Sequence, residues 1–182
     1  MDNALSTASH VRTGWLKTLE DLGYQAKFLH RDHLLNDALI NDGYKVLILG
    51  RTLCLSDEEA LAIRVFAAAG GTVITDHQCG LFDEHGQARP RGALDDLFGV
   101  KRQDVRGWFD GQSLTEVDGE RGGTLDDKTW LGTRSSRVDD MTVVELGLRP
   151  DGAVAAAQAN DVPVLLRKIA RRISISRPSA IS

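Results

Sequence analysis

The sequence predicts an α/β fold, with a parallel sheet flanked by helices and a β-rich C-terminal part. Three observations carry this. Tyr44 to Leu49 (YKVLIL) is a short, nearly unbroken apolar run, the pattern of a strand buried on both faces in a parallel sheet. Ser56-Asp57-Glu58-Glu59 then reads as a capping box, with negative charge at the positive end of a helix dipole. Ala60, Leu61, Ile63, Val65, Phe66 and Ala68 give that helix a broad apolar face, and Gly70-Gly71 ends it. Thr72 to Thr75 is a second apolar strand. Joined through a helix, the two strands should be parallel with a right-handed crossover.

The 182 residues suffice for one domain with a real core. A formal net charge of -4 gives no reason to expect a nucleic-acid partner. No apolar run is long enough to span a bilayer, and MDNALSTASH lacks the regions of a signal peptide. Cys54 and Cys79 are too few for a disulfide scaffold, so a reduced, cytoplasmic setting is expected, although both follow neighbouring strands and could pair.

In chain order, Ser9 or Thr7 can cap a first helix running to about Leu22, with Val11, Trp15, Leu16, Leu19 and Leu22 on its buried face. Gly23 stops it, and Tyr24 to Leu29 reads as a strand. This strand should join 44–49 and 72–75 in one sheet, with 44–49 central. His30 to His33 reads as a solvated loop. A doubly wound domain usually begins with a strand, and nothing apolar precedes the first helix. The first strand is therefore missing from this sequence, or the sheet is built without it. After a polar loop, Arg91 to Phe98 reads as a short helix, with Leu94, Leu97 and Phe98 inward and Gly99 as its stop. Residues 101–140 should hold loops and short strands anchored by Trp108, Phe109 and Trp130, with disorder near Asp118 to Asp127. Thr142 to Arg149 and Ala153 to Gln158 flank Pro150-Asp151-Gly152, a hairpin signal. Val162 to Arg167 and Ile173 to Ser176 read as last strands, amid a basic segment of Arg167, Lys168, Arg171, Arg172 and Arg177 that could meet an acidic partner.

The stretch YKVLILGRTLCLSDEEALAIRVFAAAGGTVITD, with GLFDEHGQARPRGALDDLFGV after it, resembles the trimerisation domain of family 42 β-galactosidases and related glycoside hydrolases. The resemblance runs over roughly residues 10–170 and is strongest from 44 to 100. It implies a flavodoxin-like, class I glutamine-amidotransferase-like fold, and a chain that is a single domain over 1–182, a fragment or accessory module with a β-rich extension at about 101–176. It also implies self-association, or docking onto the barrel domain of a parent enzyme. DVPVLLRK is similar to a strand that these domains often continue with a Gly-Lys-Gly turn; here Lys168-Ile169-Ala170-Arg171-Arg172 stands instead. In such enzymes the catalytic carboxylates lie on a separate barrel of about 250 residues, for which this sequence has no room. Asp83-Glu84, adjacent in a turn, cannot flank a glycosidic bond from two sides.

Ligands of open α/β sheets sit beyond the carboxyl ends of the strands. Arg51, Thr52, Asp76 and His77 are the candidate ligand-binding residues there. Cys79 is a candidate nucleophile, with His77 or His85 as base. The amidotransferase elbow sets its cysteine between glycines, whereas His77 and Leu81 hold the helpful positions here, and the late His-x-Glu pair is absent. Asp76, His77, Asp83 and His85 have side chains that suit zinc, in a spacing that matches no metal motif. No P-loop, G-x-G-x-x-G or G-x-S-x-G occurs, so no cofactor is indicated. Three functions stay open. The leading one is a non-catalytic accessory or oligomerisation module of a β-galactosidase-like glycoside hydrolase, involved in carbohydrate metabolism. The second is a small stand-alone cysteine-dependent hydrolase or amidotransferase-like enzyme using Cys79. The third is a sugar-binding module, in which Trp108 and Trp130 stack on a pyranose ring.

Overall fold

The structure is a computed structural model and describes residues 3–76, 78–102, 114–116, 122–125, 129–132, 143–145, 148–159 and 162–169. Its centre is the strand–helix–strand unit. β1 (Val46–Leu49) and β2 (Thr72–Thr75) pair in parallel, Val46 opposite Thr72 and Leu49 opposite Thr75. Between them runs α4 (Asp57–Ala68), preceded by α1 (Asn3–Asp21), α2 (Arg31–Leu35) and α3 (Ala38–Asn41). The capping box forms as the sequence predicts. The Glu59 N–H donates to Ser56 Oγ at 3.1 Å, and the Ser56 N–H donates to Glu59 Oε2 at 2.8 Å. Gly71 follows α4 directly under the Phe66 ring, where any Cβ would collide with the ring carbons. The close return of the chain into β2 therefore requires glycine.

Ala60, Ile63 and Phe66 are the buried residues of α4. Ile63 is fully buried and joins Leu49, Leu55, Ala60, Cys79 and Leu94 in the core, with Leu47, Val73, Leu97 and Phe98 packed against it. Leu94 and α5 (Asp95–Phe98) thus face inward as the sequence suggests, and Gly99 caps α5 in the left-handed conformation. The helix is shorter than the expected Arg91 to Phe98, since the Ala93 N–H donates to Gly80 O at 2.8 Å and the Gly92 N–H to the Asp95 carboxylate at 2.9 Å.

Several expectations are corrected. The expected strand at 24–29 is irregular chain that pairs with no strand among the described residues, and the parallel sheet has two described strands instead of three. Tyr24 and Phe28 are exposed, so this stretch lacks the cross-strand packing that turns β-propensity into a strand. β1 is not buried on both faces. Leu47, Leu49 and Val73 pack toward α4, but Val46 stays 47% and Ile74 36% exposed on the opposite face. Toward that sheet α1 brings Trp15 and Val11, which lie against Gly50 just past the end of β1. Neither Ser9 nor Thr7 caps α1, which already begins at Asn3, and Leu22 is exposed past its end. The expected loop at His30 to His33 opens α2, because His30 Nδ1 accepts the Asp32 N–H at 3.3 Å as an N-cap.

The β-rich part contains β3 (Val100–Arg102), β4 (Leu114–Glu116), β5 (Gly122–Leu125), β6 (Thr129–Gly132), β7 (Val143–Glu145), β8 (Leu148–Pro150), β9 (Val154–Ala159) and β10 (Val162–Arg167). These form antiparallel sheets β10-β9-β5-β6, β3-β8 and β4-β7. The hairpin expected across Pro150-Asp151-Gly152 does not form. β8 pairs with β3, because the Asp151 and Ala153 N–H groups both donate to Gly99 O and turn the chain onto α5. The hairpin lies one step later, where Ala159 faces Val162. β5 occupies part of the stretch expected to be disordered. Trp108, Phe109 and Ile173 to Ser176 lie outside the described residues, and Trp130 sits in β6.

One buried ion pair ties the β-rich part to the core. Asp95 and Arg102 are 4% and 7% exposed and in direct contact, and Asp95 Oδ2 also accepts the Gly92 N–H at 2.9 Å. Removing one partner leaves the other charge buried. Asp95→Ala should lower stability by about 3–5 kcal/mol in urea unfolding. Asp95→Leu combined with Arg102→Met should cost clearly less than the single change, since no charge is then stranded.

Candidate functional site

Beyond the strand ends, the two loops run side by side. The Gly80 N–H donates to Thr52 O at 2.9 Å, Phe82 N–H to Leu53 O at 3.1 Å, and Leu55 N–H to Phe82 O at 3.0 Å. The parallel pairing of β1 and β2 thus resumes after both strands have ended, with a bridge between Cys54 and Phe82. Two residues at this junction, Arg51 (φ 50°) and Gln78 (φ 62°), adopt the left-handed conformation without being glycine. Such a conformation costs about 1–2 kcal/mol and needs a reason to persist. For Arg51 the reason is Asp76. The Arg51 N–H donates to both carboxylate oxygens, at 2.7 and 2.8 Å.

The candidate residues therefore separate. Arg51, Thr52 and Asp76 do come together, but through main-chain bonds that hold the loops, with the Asp76 carboxylate committed to the turn. His77 lies outside the described residues. Cys79 is 2% exposed and belongs to the core, packed with Leu55, Ile63 and Leu94. A thiol so enclosed offers no face to a substrate in solution. His85 is exposed in a turn, with Nε2 3.9 Å from Glu84 Oε1. Asp83 Oδ1 accepts the N–H groups of Gln87 and His85, at 2.8 and 2.9 Å. These bonds, Gln87 first, hold the Asp83 carboxyl below the usual range. Its oxygen is thus engaged in shaping the turn, and no cluster of three metal-type side chains occurs among the described residues. Both cysteines are free thiols.

A different feature, not singled out in the sequence, lies on the outer side of α4. A groove of about 510 Å³ runs between α4 and residues 89–96. Arg64, Arg89 and Arg91 line it with Asp57 and Asp96, together with Ala60, Leu61 and Ala93. Arg64 donates to Ala93 O at 2.6 Å and Asp96 Oδ1 at 2.5 Å. Burial would raise the Asp96 carboxyl, but the Arg64 bond and charge outweigh it and hold the group low. Arg89 donates to Leu55 O at 2.9 Å and pairs with Asp57 at 2.7 Å. The one available signal was Arg89-Pro90-Arg91, two cations spaced by a residue that stiffens the turn.

A family model described as the beta-galactosidase trimerisation domain matches residues 2–146. The chain belongs to this family. Among curated proteins none matches. Solved structures are similar as well, among them two beta-galactosidases. One is the beta-galactosidase from Bifidobacterium adolescentis, at 22% identity and a TM-score of 0.45, with 86% of this chain on 68% of that one. The other is Gan42B, a GH42 beta-galactosidase from G., at 19% identity and a TM-score of 0.45, with 68% of this chain on 17% of that one. Among the described residues of this trimerisation-domain chain, no helix is long and apolar enough to cross a membrane.

The two thiols of the domain differ sharply. Cys54 is exposed, but partial burial, and then the Asp83 charge, push its thiol above the ordinary range. In the native protein a small alkylating reagent should modify Cys54 and spare Cys79. The Cys54 rate should still be climbing at pH values where an ordinary thiol has levelled off, as followed by mass spectrometry. Equal labelling of both cysteines would contradict the packing described.

Proposed function

We propose that this chain is a non-catalytic, self-associating module of a beta-galactosidase-like glycoside hydrolase, with its role in carbohydrate metabolism exercised through a parent enzyme. Family membership over residues 2–146 is the observation that carries the reading. The same reading assigns the strand–helix–strand unit to a flavodoxin-like, class I glutamine-amidotransferase-like plan, and treats 1–182 as one domain with its β-rich extension.

The geometry supports it from two sides. Where this architecture would place a reacting group, Cys79 is packed into the core and Asp76 holds the Arg51 turn. That weighs against the reading as a cysteine-dependent hydrolase. In addition, the sheet face carrying Val46 and Ile74 is open, and Tyr24 and Phe28 are exposed. Exposed apolar side chains of this kind are a feature of contacts with other chains. Both strands of the β1-β2 sheet also have one edge without a partner among the described residues, and such edges recruit other chains. Within this reading Arg51, Thr52 and Asp76 organise the loops at the strand ends, and any carbohydrate contact at Arg51, Thr52, Asp76 or His77 is secondary to association.

Sedimentation of the chain over a wide concentration range is the direct test. The mass should rise to a small multiple of the 19.9 kDa chain. A compact monomer at every concentration would overturn the reading.

A further inference from the structure

We propose that the groove between α4 and residues 89–96 is a docking surface for an acidic segment of a second copy of this chain. The inference rests on the self-association reading above and adds the place and the chemistry of one contact.

Charge is the first argument. Arg64, Arg89 and Arg91 line the groove, and Lys168 Nζ reaches its rim, donating to Asp96 O at 2.6 Å. Against these four cations stand two lining carboxylates, Asp57 and Asp96. The groove is thus a local positive excess on a chain whose formal net charge is -4. The rest of the chain carries a net negative charge, the sign that complements such a site.

The state of each cation is the second argument. Arg64 is held by Ala60 O, Ala93 O and Asp96, and so shapes the wall. Arg89 is anchored by Leu55 O and Asp57, yet its buried Nε–H has no acceptor among the described residues. Arg91 is 64% exposed, and its ion pair with Asp96 is long, at 3.7 Å. A guanidinium held this loosely keeps its planar donor fork available to an incoming carboxylate. The lining adds an apolar component, with Leu61 at 61% exposure. A groove lined by both cations and apolar side chains suits an acidic segment that carries an apolar side chain.

Symmetry is the third argument. A closed ring of three uses heterologous contacts, in which one patch meets a different patch on the next copy. A basic groove on an otherwise acidic chain can serve as one half of such a contact. It cannot pair with itself, because like charges would face each other.

The test compares sedimentation of the full chain with Arg91→Glu, Arg91→Lys and Lys17→Glu, at low and high salt. Lys17 is an exposed residue of α1, so its reversal changes net charge by the same amount away from the groove. Association of the wild type should weaken as salt rises, since exposed charges are screened. Arg91→Glu should weaken it about tenfold or more at low salt, with Arg91→Lys intermediate and Lys17→Glu near wild type. Matching thermal unfolding of the variants establishes that they fold, and Lys168→Glu should reproduce the Arg91→Glu effect. If the wild type associates but Arg91→Glu matches it, or Lys17→Glu weakens association equally, the groove is not the contact and self-association stands. A wild type that is monomeric throughout removes both inferences.

Discussion

The pairing of residues 52–55 with residues 80–82 is the constraint on which the described structure turns. β1 and β2 are only four residues each. A parallel pair this short holds few ladder bonds and no wide apolar face. The loops beyond the strands extend it with three further main-chain bonds, from Gly80, Phe82 and Leu55. Those bonds fix Leu55 and Cys79, packed with Ala60 and Ile63 of α4, and Leu81, also buried. The core is therefore displaced toward the carboxyl ends of the strands, where an enzyme of this architecture would keep an open crevice. Filling that region with Cys79 and Leu81 stabilises a small sheet at the expense of a pocket.

Much of this was legible in the sequence, and the reasons differ by element. The capping box at Ser56 and the stop at Gly70-Gly71 are local chemistry, so their sequence signals translate directly. The inward face of Leu94, Leu97 and Phe98 follows from helical spacing, even though the helix itself begins only at Asp95. Tyr24 to Leu29 has strand composition but not strand structure, because a strand is defined by its neighbour and no local pattern names the neighbour. The turn at Pro150-Asp151-Gly152 illustrates the same limit. Its residues do suit a tight turn, with Gly152 at φ 91°, but the partner of β8 is β3, some fifty positions away in sequence.

At the strand ends the sequence located polar groups without revealing their employment. Asp76 is a carboxylate where ligands bind in such folds, and composition cannot tell whether its oxygens face a ligand or a turn. Only the left-handed Arg51, with both oxygens on its N–H, decides this. Cys79 carries the same ambiguity, and burial resolves it. Asp95 and Arg102 were hidden for a related reason. Charged residues read as solvated by default, so a buried pair gives no signal until the chain is folded around it.

α4 shows how one helix serves two purposes. Ala60, Ile63 and Phe66 face the core, and their burial supplies the apolar stabilisation that a two-stranded sheet cannot. Arg64 stands beside that stripe, where an alkyl stem can lie along apolar surface while the guanidinium reaches outward. It bonds Ala93 O and Asp96 on the opposite wall, so the groove is braced by the same helix that closes the core. Residues 89–96 are held in turn by Arg89 on Leu55 O and by Asp95 on Gly92. The outer groove is thus tied, through Leu55 and Asp95, to the loop pairing and to the buried ion pair. A surface anchored at both walls changes little when a partner arrives, and contacts made on rigid elements lose less freedom on association than contacts made on loops.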